Sequence, residues 1–130
     1  MDKGKSLGAP DSFLAEQLIR QSVIKVRKPE NVEFMTQLLK ISNLHQAEVE
    51  VLALAKELNG IAIIDENIAR HVARIYNMQA HGTAYLLLRL LYKGKLSKKQ
   101  VGEAVDKMIS AGWRLTAEEY AKLIKPLKNL

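Results

Sequence analysis

Residues 44–78 read LHQAEVEVLALAKELNGIAIIDENIARHVARIYNM, and this stretch decides the fold. Across 47–58, Val49, Val51, Leu52, Leu54, Ala55 and Leu58 surround most of a helical wheel, the mark of a buried helix. Asn59-Gly60 then predicts a left-handed stop. The unbroken apolar run 61–64 fits a short parallel strand covered on both faces. Asp65 falls where that strand ends, and Ile68, Val72 and Ile75 space out a following helix. In open α/β sheets ligands bind outside the carboxyl ends of the strands, which is where Asp65 falls. Glu48 lies in the first turn of the buried helix, and an antiparallel return carries it to the same rim.

Outward from this unit the pattern stays α/β. Asp11 is suited to cap a helix over 12–21 with Phe13, Leu14 and Leu18 inward. Residues 23–26 alternate as a short strand closed by Arg27-Lys28-Pro29, and Asn31 can cap a helix through Lys40 whose Met35, Leu38 and Leu39 face the core. Ser42-Asn43 breaks that helix. Residues 79–81 read as a second parallel strand, and Thr83 as the cap of a helix over 84–93 ended by Gly94. Ser97 caps a helix over 98–111, with Val101, Val105, Met108 and Ile109 on one side. Thr116 and Glu119 form a capping box for a last helix in which Tyr120, Leu123, Ile124 and Leu127 pack. The fold class is therefore α/β: a short parallel sheet flanked by helices, with a helical C-terminal extension. One domain is expected, α/β over 1–92 and helical over 93–130.

With 130 residues the chain can bury a single core, and the absence of cysteine excludes disulfides and thiolate metal sites. No apolar run approaches the ~20 residues that span a bilayer, and the first residues lack the apolar core of a signal peptide, so a cytoplasmic protein is expected. The formal charge of +6 is uneven. From Arg89 onward ten Lys/Arg stand against four acids, which leaves the first 88 residues neutral. A polyanion suits such a face, although lysine-rich helices also serve solubility alone.

Each candidate residue has a plain structural reading beside the functional one. Asp65 could cap the helix starting at Glu66, and Glu48 could be a first-turn acid favoured by the helix dipole. Glu50 and Glu66 are second choices; Glu50 points roughly 200° from Glu48 around the helix. Arg70 and Arg74, one turn apart, suit phosphates or a solvated face. Thr83 could bond a phosphate or a metal-bound water, or simply cap. His45, His71 and His81 share no metal-binding spacing, and no P-loop, Ser-His-Asp set or dinucleotide fingerprint is present. A receiver-like domain with Asp65 as phosphoacceptor matches the strand-end position but lacks the paired acids and the lysine context. Trp113 and Tyr120 read as core or partner-facing residues.

Residues 47–51 (AEVEV) with Leu54-Ala55, Ile64-Asp65-Glu66 and Ala69-Arg70 together resemble the PIN-domain superfamily of metal-dependent nucleases. The match is best to the archaeal and bacterial PIN-like branch related to VapC-type toxins. The likeness continues through residues 80–83 (AHGT), 87–89, 93–96 (KGKL) and 111–115 (AGWRL) and covers nearly the whole chain. Ala47 stands where that branch usually has glycine. The resemblance implies a ribonuclease using Mg2+ or Mn2+, with Glu48 and Asp65 as its acidic metal ligands and Arg70, Arg74 and Thr83 toward nucleic acid. It also implies RNA as partner and an antitoxin-like protein as inhibitor. The family's first acidic residue, at the end of an initial strand (Val/Ile-Asp-Thr/Ala-Ser), and the second, on the next helix, have no counterpart here. Residues 1–5 resemble the tail of that helix, and Asp2 has no strand before it. The expectation is a chain carrying about half of a PIN metal site, either begun at an internal methionine or truly shortened, and weak or inactive as it stands. A missing central strand also implies a homo-oligomer covering the gap. The alternative is a non-catalytic nucleic-acid-binding or protein-interaction module that keeps the fold.

Overall fold

A computed structural model describes residues 10–41 and 43–128. Ser42 and the expectations placed on residues 1–9 lie outside them. Among the described residues the chain runs α1 (Pro10–Arg20), α2 (Val32–Leu39), α3 (Gln46–Leu58), β1 (Ala62–Ile63), α4 (Asn67–Ile75), β2 (Ala80–His81), α5 (Thr83–Tyr92), α6 (Lys98–Ser110) and α7 (Ala117–Lys128). The two strands pair in parallel, Ala62 opposite Ala80 and Ile63 opposite His81. Ladder bonds run past the strand ends, Ala62 N–H to Gln79 C=O at 3.0 Å and Ile64 N–H to His81 C=O at 2.8 Å. The expected α/β class holds, with its helical C-terminal extension.

The helix–strand–helix unit forms where its pattern places it, but α3 is buried along one side and not all round, with Val51 and Leu58 exposed. Asn59 takes the left-handed conformation (φ 52°) and ends α3, and Gly60 N–H closes on Ala55 C=O. Asparagine tolerates this region because its short polar side chain bonds locally. Val49, Leu52, Ala53 and Ala55 of α3 pack with Ala62, Ile64, Ala69, Val72, Ala73 and Ala80 in one apolar cluster, joined by Phe34 and Leu38 of α2. Asn31 caps α2, its Oδ1 accepting from Phe34 N–H at 3.0 Å. The Glu57 carboxylate ties the approach to α2 onto α3, accepting from the N–H groups of Glu30 (2.6 Å) and Asn31 (2.7 Å). A second cluster joins Ala84 and Leu87 of α5, Val101 and Val105 of α6 and Leu123 of α7, with Trp113 against it.

Several local expectations are corrected. Residues 23–26 form no strand: the N–H groups of Val23 and Ile24 close on Leu18 C=O at the end of α1, and Val23, Ile24 and Val26 stay exposed. The helix expected over 12–21 begins at Pro10, so Asp11 sits within its first turn, and Phe13 and Leu14 face solvent. In α2 the i, i+4 pair Phe34 and Leu38 is buried while Leu39 is exposed. In α4 Ile68 and Ile75 are exposed, and the buried face is made of small residues with one arginine, Arg70.

Candidate metal and nucleic-acid site

Asp65 leaves β1 at its carboxyl end, but it does not cap the next helix. Glu66 does that, its carboxylate accepting from Ala69 N–H at 2.8 Å. Asp65 instead reaches across to the neighbouring helix. The N-cap of α5 is Gly82, which has no side chain to offer the orphan N–H groups of the first turn. One Asp65 oxygen accepts from Thr83 N–H at 2.7 Å, and the other from the Thr83 hydroxyl at 2.7 Å and the Trp113 indole N–H at 3.2 Å. A carboxylate at a helix N-terminus is also favoured by the dipole. Thr83 is thus the first helical residue and a donor to Asp65, not the cap.

Arg70 is the one buried charged or polar residue among those described. The wheel of α4 turns its side chain inward, and burial of a cation demands partners. Its guanidinium donates to the Ile64 carbonyl at 3.4 Å, to the Asn67 side chain and to both Glu119 oxygens at 3.1 and 3.4 Å. Glu119 belongs to the first turn of α7, where its N–H donates to Thr116 Oγ1 at 3.1 Å and its carboxylate accepts from the Thr116 hydroxyl at 3.0 Å. The expected capping box is therefore half-made, the carboxylate being drawn off to Arg70.

Gly82 lies buried between these groups. A Cβ there would collide with the Arg70 guanidinium and stand 2.7 Å from Asp65 Oδ1. Its φ of −96° is ordinary, so space and not backbone conformation requires glycine. Gly82→Ala is expected to cost about 1–3 kcal/mol, because Arg70 or Asp65 must give up part of its bonding. Urea unfolding checks this, and an unchanged midpoint would show that the crowding relaxes freely.

Glu48 sits at the third position of α3, and its carboxylate accepts from His45 N–H at 3.0 Å, the dipole-favoured local role. Glu48 and Asp65 share no hydrogen bond or partner among the described residues. Glu50 accepts from the Gln46 amide at 3.1 Å and stays exposed. Among the described residues no group of three or more His, Asp or Glu could hold a metal ion. A hard divalent cation wants up to six oxygens, and two separately engaged carboxylates fall short of that set.

Arg74, exposed one turn beyond Arg70, has no carboxylate partner among the described residues. It lines a groove of about 800 Å³ with His71, His81, Tyr85 and Lys122. The His81 and Tyr85 rings stack, centroids 4.0 Å apart and planes 12° from parallel. The His81 pKa is pushed below 6.5 by partial burial, then by the charges of Arg74 and Arg70. Below pH 6.5 the unfolded chain takes up this proton first, so His81 lowers stability as pH falls from 6.5 toward its folded pKa.

Sequence reasoning singled out Asp65, Glu48, Arg70, Arg74 and Thr83. The structure joins Asp65 to Thr83, ties Arg70 to Glu119 and gives Glu48 a separate local bond. The contacts of Trp113, the crowding at Gly82 and the ion pair of Glu119 were not anticipated. Arg70 carried the available signal: it stands next to Ala69 and three residues before Ala73, on the buried side of its helix.

A parallel strand tip bearing an aspartate beside a helix N-terminus defines an α/β protein with its polar site at the sheet's carboxyl edge. A PIN-domain family model matches residues 1–129, and the chain belongs to the PIN-domain family, a nuclease-type class. A search of curated proteins and of solved structures finds no match.

Proposed function

We propose that this chain binds RNA and holds Mg2+ or Mn2+ weakly through Asp65 and Glu48, as a PIN-type ribonuclease relative that cuts RNA weakly or not at all. The observation that carries the reading is Asp65 at the carboxyl tip of a parallel strand in a chain of this family. A bound ion would supply charge neutralisation at the phosphate and a more acidic water. Arg74 meets phosphate directly, whereas Arg70 and Thr83 hold the rim, being committed to Glu119 and Asp65. The exposed lysines of α6 and α7, among them Lys99, Lys107, Lys125 and Lys128, extend the basic face.

The other reading, a non-catalytic nucleic-acid-binding or protein-interaction module, is favoured by the small donor set and by the three hydrogen-bond donors already on Asp65. Both readings accommodate an antitoxin-like protein partner. Both also accommodate a homo-oligomer, in which exposed Val23, Ile24 and Val26 would be covered. No helix among the described residues is long and apolar enough to cross a membrane.

Titration with Mn2+ followed by the resonance of the free ion, alongside cleavage of a labelled RNA, tests the proposal. Weak binding is expected, reduced by both Asp65→Asn and Glu48→Gln, with RNA binding retained in EDTA. Mn2+ affinity indifferent to both substitutions would sink the metal assignment and leave the second reading.

A further inference from the structure

The groove beside the strand tip is built for more than a backbone phosphate. Its floor is β2 and its walls are α4, the start of α5 and the first turns of α7. At about 800 Å³ it falls within the size of small-ligand sites. Its charges largely cancel in pairs: Arg70 is held by Glu119, and Lys122 by Glu118 at 3.1 Å. One cation, Arg74, remains without a carboxylate partner among the described residues, next to the half-buried, parallel rings of His81 and Tyr85. Leu88 adds an apolar wall. Arg89 of α5 stands 5.9 Å from the Tyr85 ring centroid but does not line the groove, so Arg74 is the free cation the groove itself offers beside the ring pair, which matches a ligand with one anionic group and one flat ring.

We infer that this groove seats a single nucleotide unit, with its base against the His81–Tyr85 ring pair and its phosphate on Arg74. Every base has a π-face, so stacking selects for an unpaired base without selecting its identity. A neutral imidazole, as the lowered His81 pKa provides, adds no charge that would compete with Arg74 for the phosphate. The unit can be a free nucleotide or one residue of a single strand, and the strand source rests on the RNA reading above. Neither source requires Asp65 or Glu48.

The test is run in EDTA, so that failure of the metal assignment leaves it untouched. Adenosine 5′-monophosphate, pentaadenylate and inorganic phosphate are each titrated while the ring resonances of His81 and Tyr85 are followed. The two adenine probes are expected to shift both rings. Arg74→Ala and Tyr85→Leu are each expected to weaken adenosine monophosphate by about tenfold, with Tyr85→Phe close to wild type. Arg74 is exposed, so its substitution keeps the test valid should Tyr85→Leu disturb the fold. Equal affinity for the two adenine probes identifies a free nucleotide as occupant, and binding of pentaadenylate alone identifies a strand. Inorganic phosphate binding as tightly as adenosine monophosphate, ring resonances unmoved by all three probes, or affinity unaltered by Arg74→Ala would overturn the inference.

Discussion

Arg70→Ala is expected to destabilise the protein by about 3 kcal/mol, the low end of what breaking a buried ion pair costs. The Arg70 side chain is 9% exposed and that of Glu119 22%, so the surviving carboxylate keeps some access to water. Truncation also removes the donor to the Asn67 side chain and strips the Ile64 carbonyl of one. Glu119→Ala should cost a similar amount, since it leaves a buried guanidinium short of countercharge. A double-mutant cycle in urea resolves the pair. Coupling of about 1–3 kcal/mol is expected, and additive effects would show that the two side chains do not stabilise each other. Arg70→Met with Glu119→Leu should recover much of the loss, because well-packed apolar residues often replace a buried pair at little cost.

Asp65→Ala is expected to lower stability by about 2–4 kcal/mol before any question of metal arises. Three donors converge on this carboxylate, two from Thr83 and one from Trp113, and hydrogen bonds to a charged group contribute about 1.5–3 kcal/mol each when fully formed. The residue is exposed, so water replaces part of what is lost. Asp65→Asn keeps an acceptor oxygen and should lose less, about 1 kcal/mol, through the missing charge at the α5 N-terminus. Trp113→Phe removes one donor and should be the mildest of the three. Thermal and urea unfolding order the series, and Asp65→Ala as stable as wild type would show these bonds to be idle. The same series separates a loosened rim from a lost charge: Asp65→Ala removes both together, whereas Asp65→Asn keeps an acceptor in place.

The helix–strand–helix unit was legible because its signals agree on where each element lies: an apolar run of strand length, a left-handed stop at Asn59 and an apolar helix before it, although that helix is buried along one side only. The inward faces of α1 and α4 were not. Helical spacing places Phe13, Leu14, Ile68 and Ile75 on stripes, but a stripe does not say which side meets the core, and in α4 alanines win the close approach to β1 and β2. Residues 23–26 have strand composition without a strand to pair with, and pairing is a property of the neighbour. The candidate site was half legible. Asp65 was placed at the strand end by its position in the chain, but its partners Thr83 and Trp113 lie 18 and 48 residues away, and Arg70 and Glu119 lie 49 apart. No local pattern encodes a pairing over that distance.

The two apolar clusters meet along a polar seam, stitched by Asp65 to Thr83 and Trp113 and by Arg70 to Glu119. Oil-like adhesion forgives small slips, whereas hydrogen bonds fail abruptly once their angles open. The molecule therefore has a fault line: cutting the stitches would let α5–α7 separate as a folded or half-folded unit while the other cluster stays intact. A single melting step would then split into two.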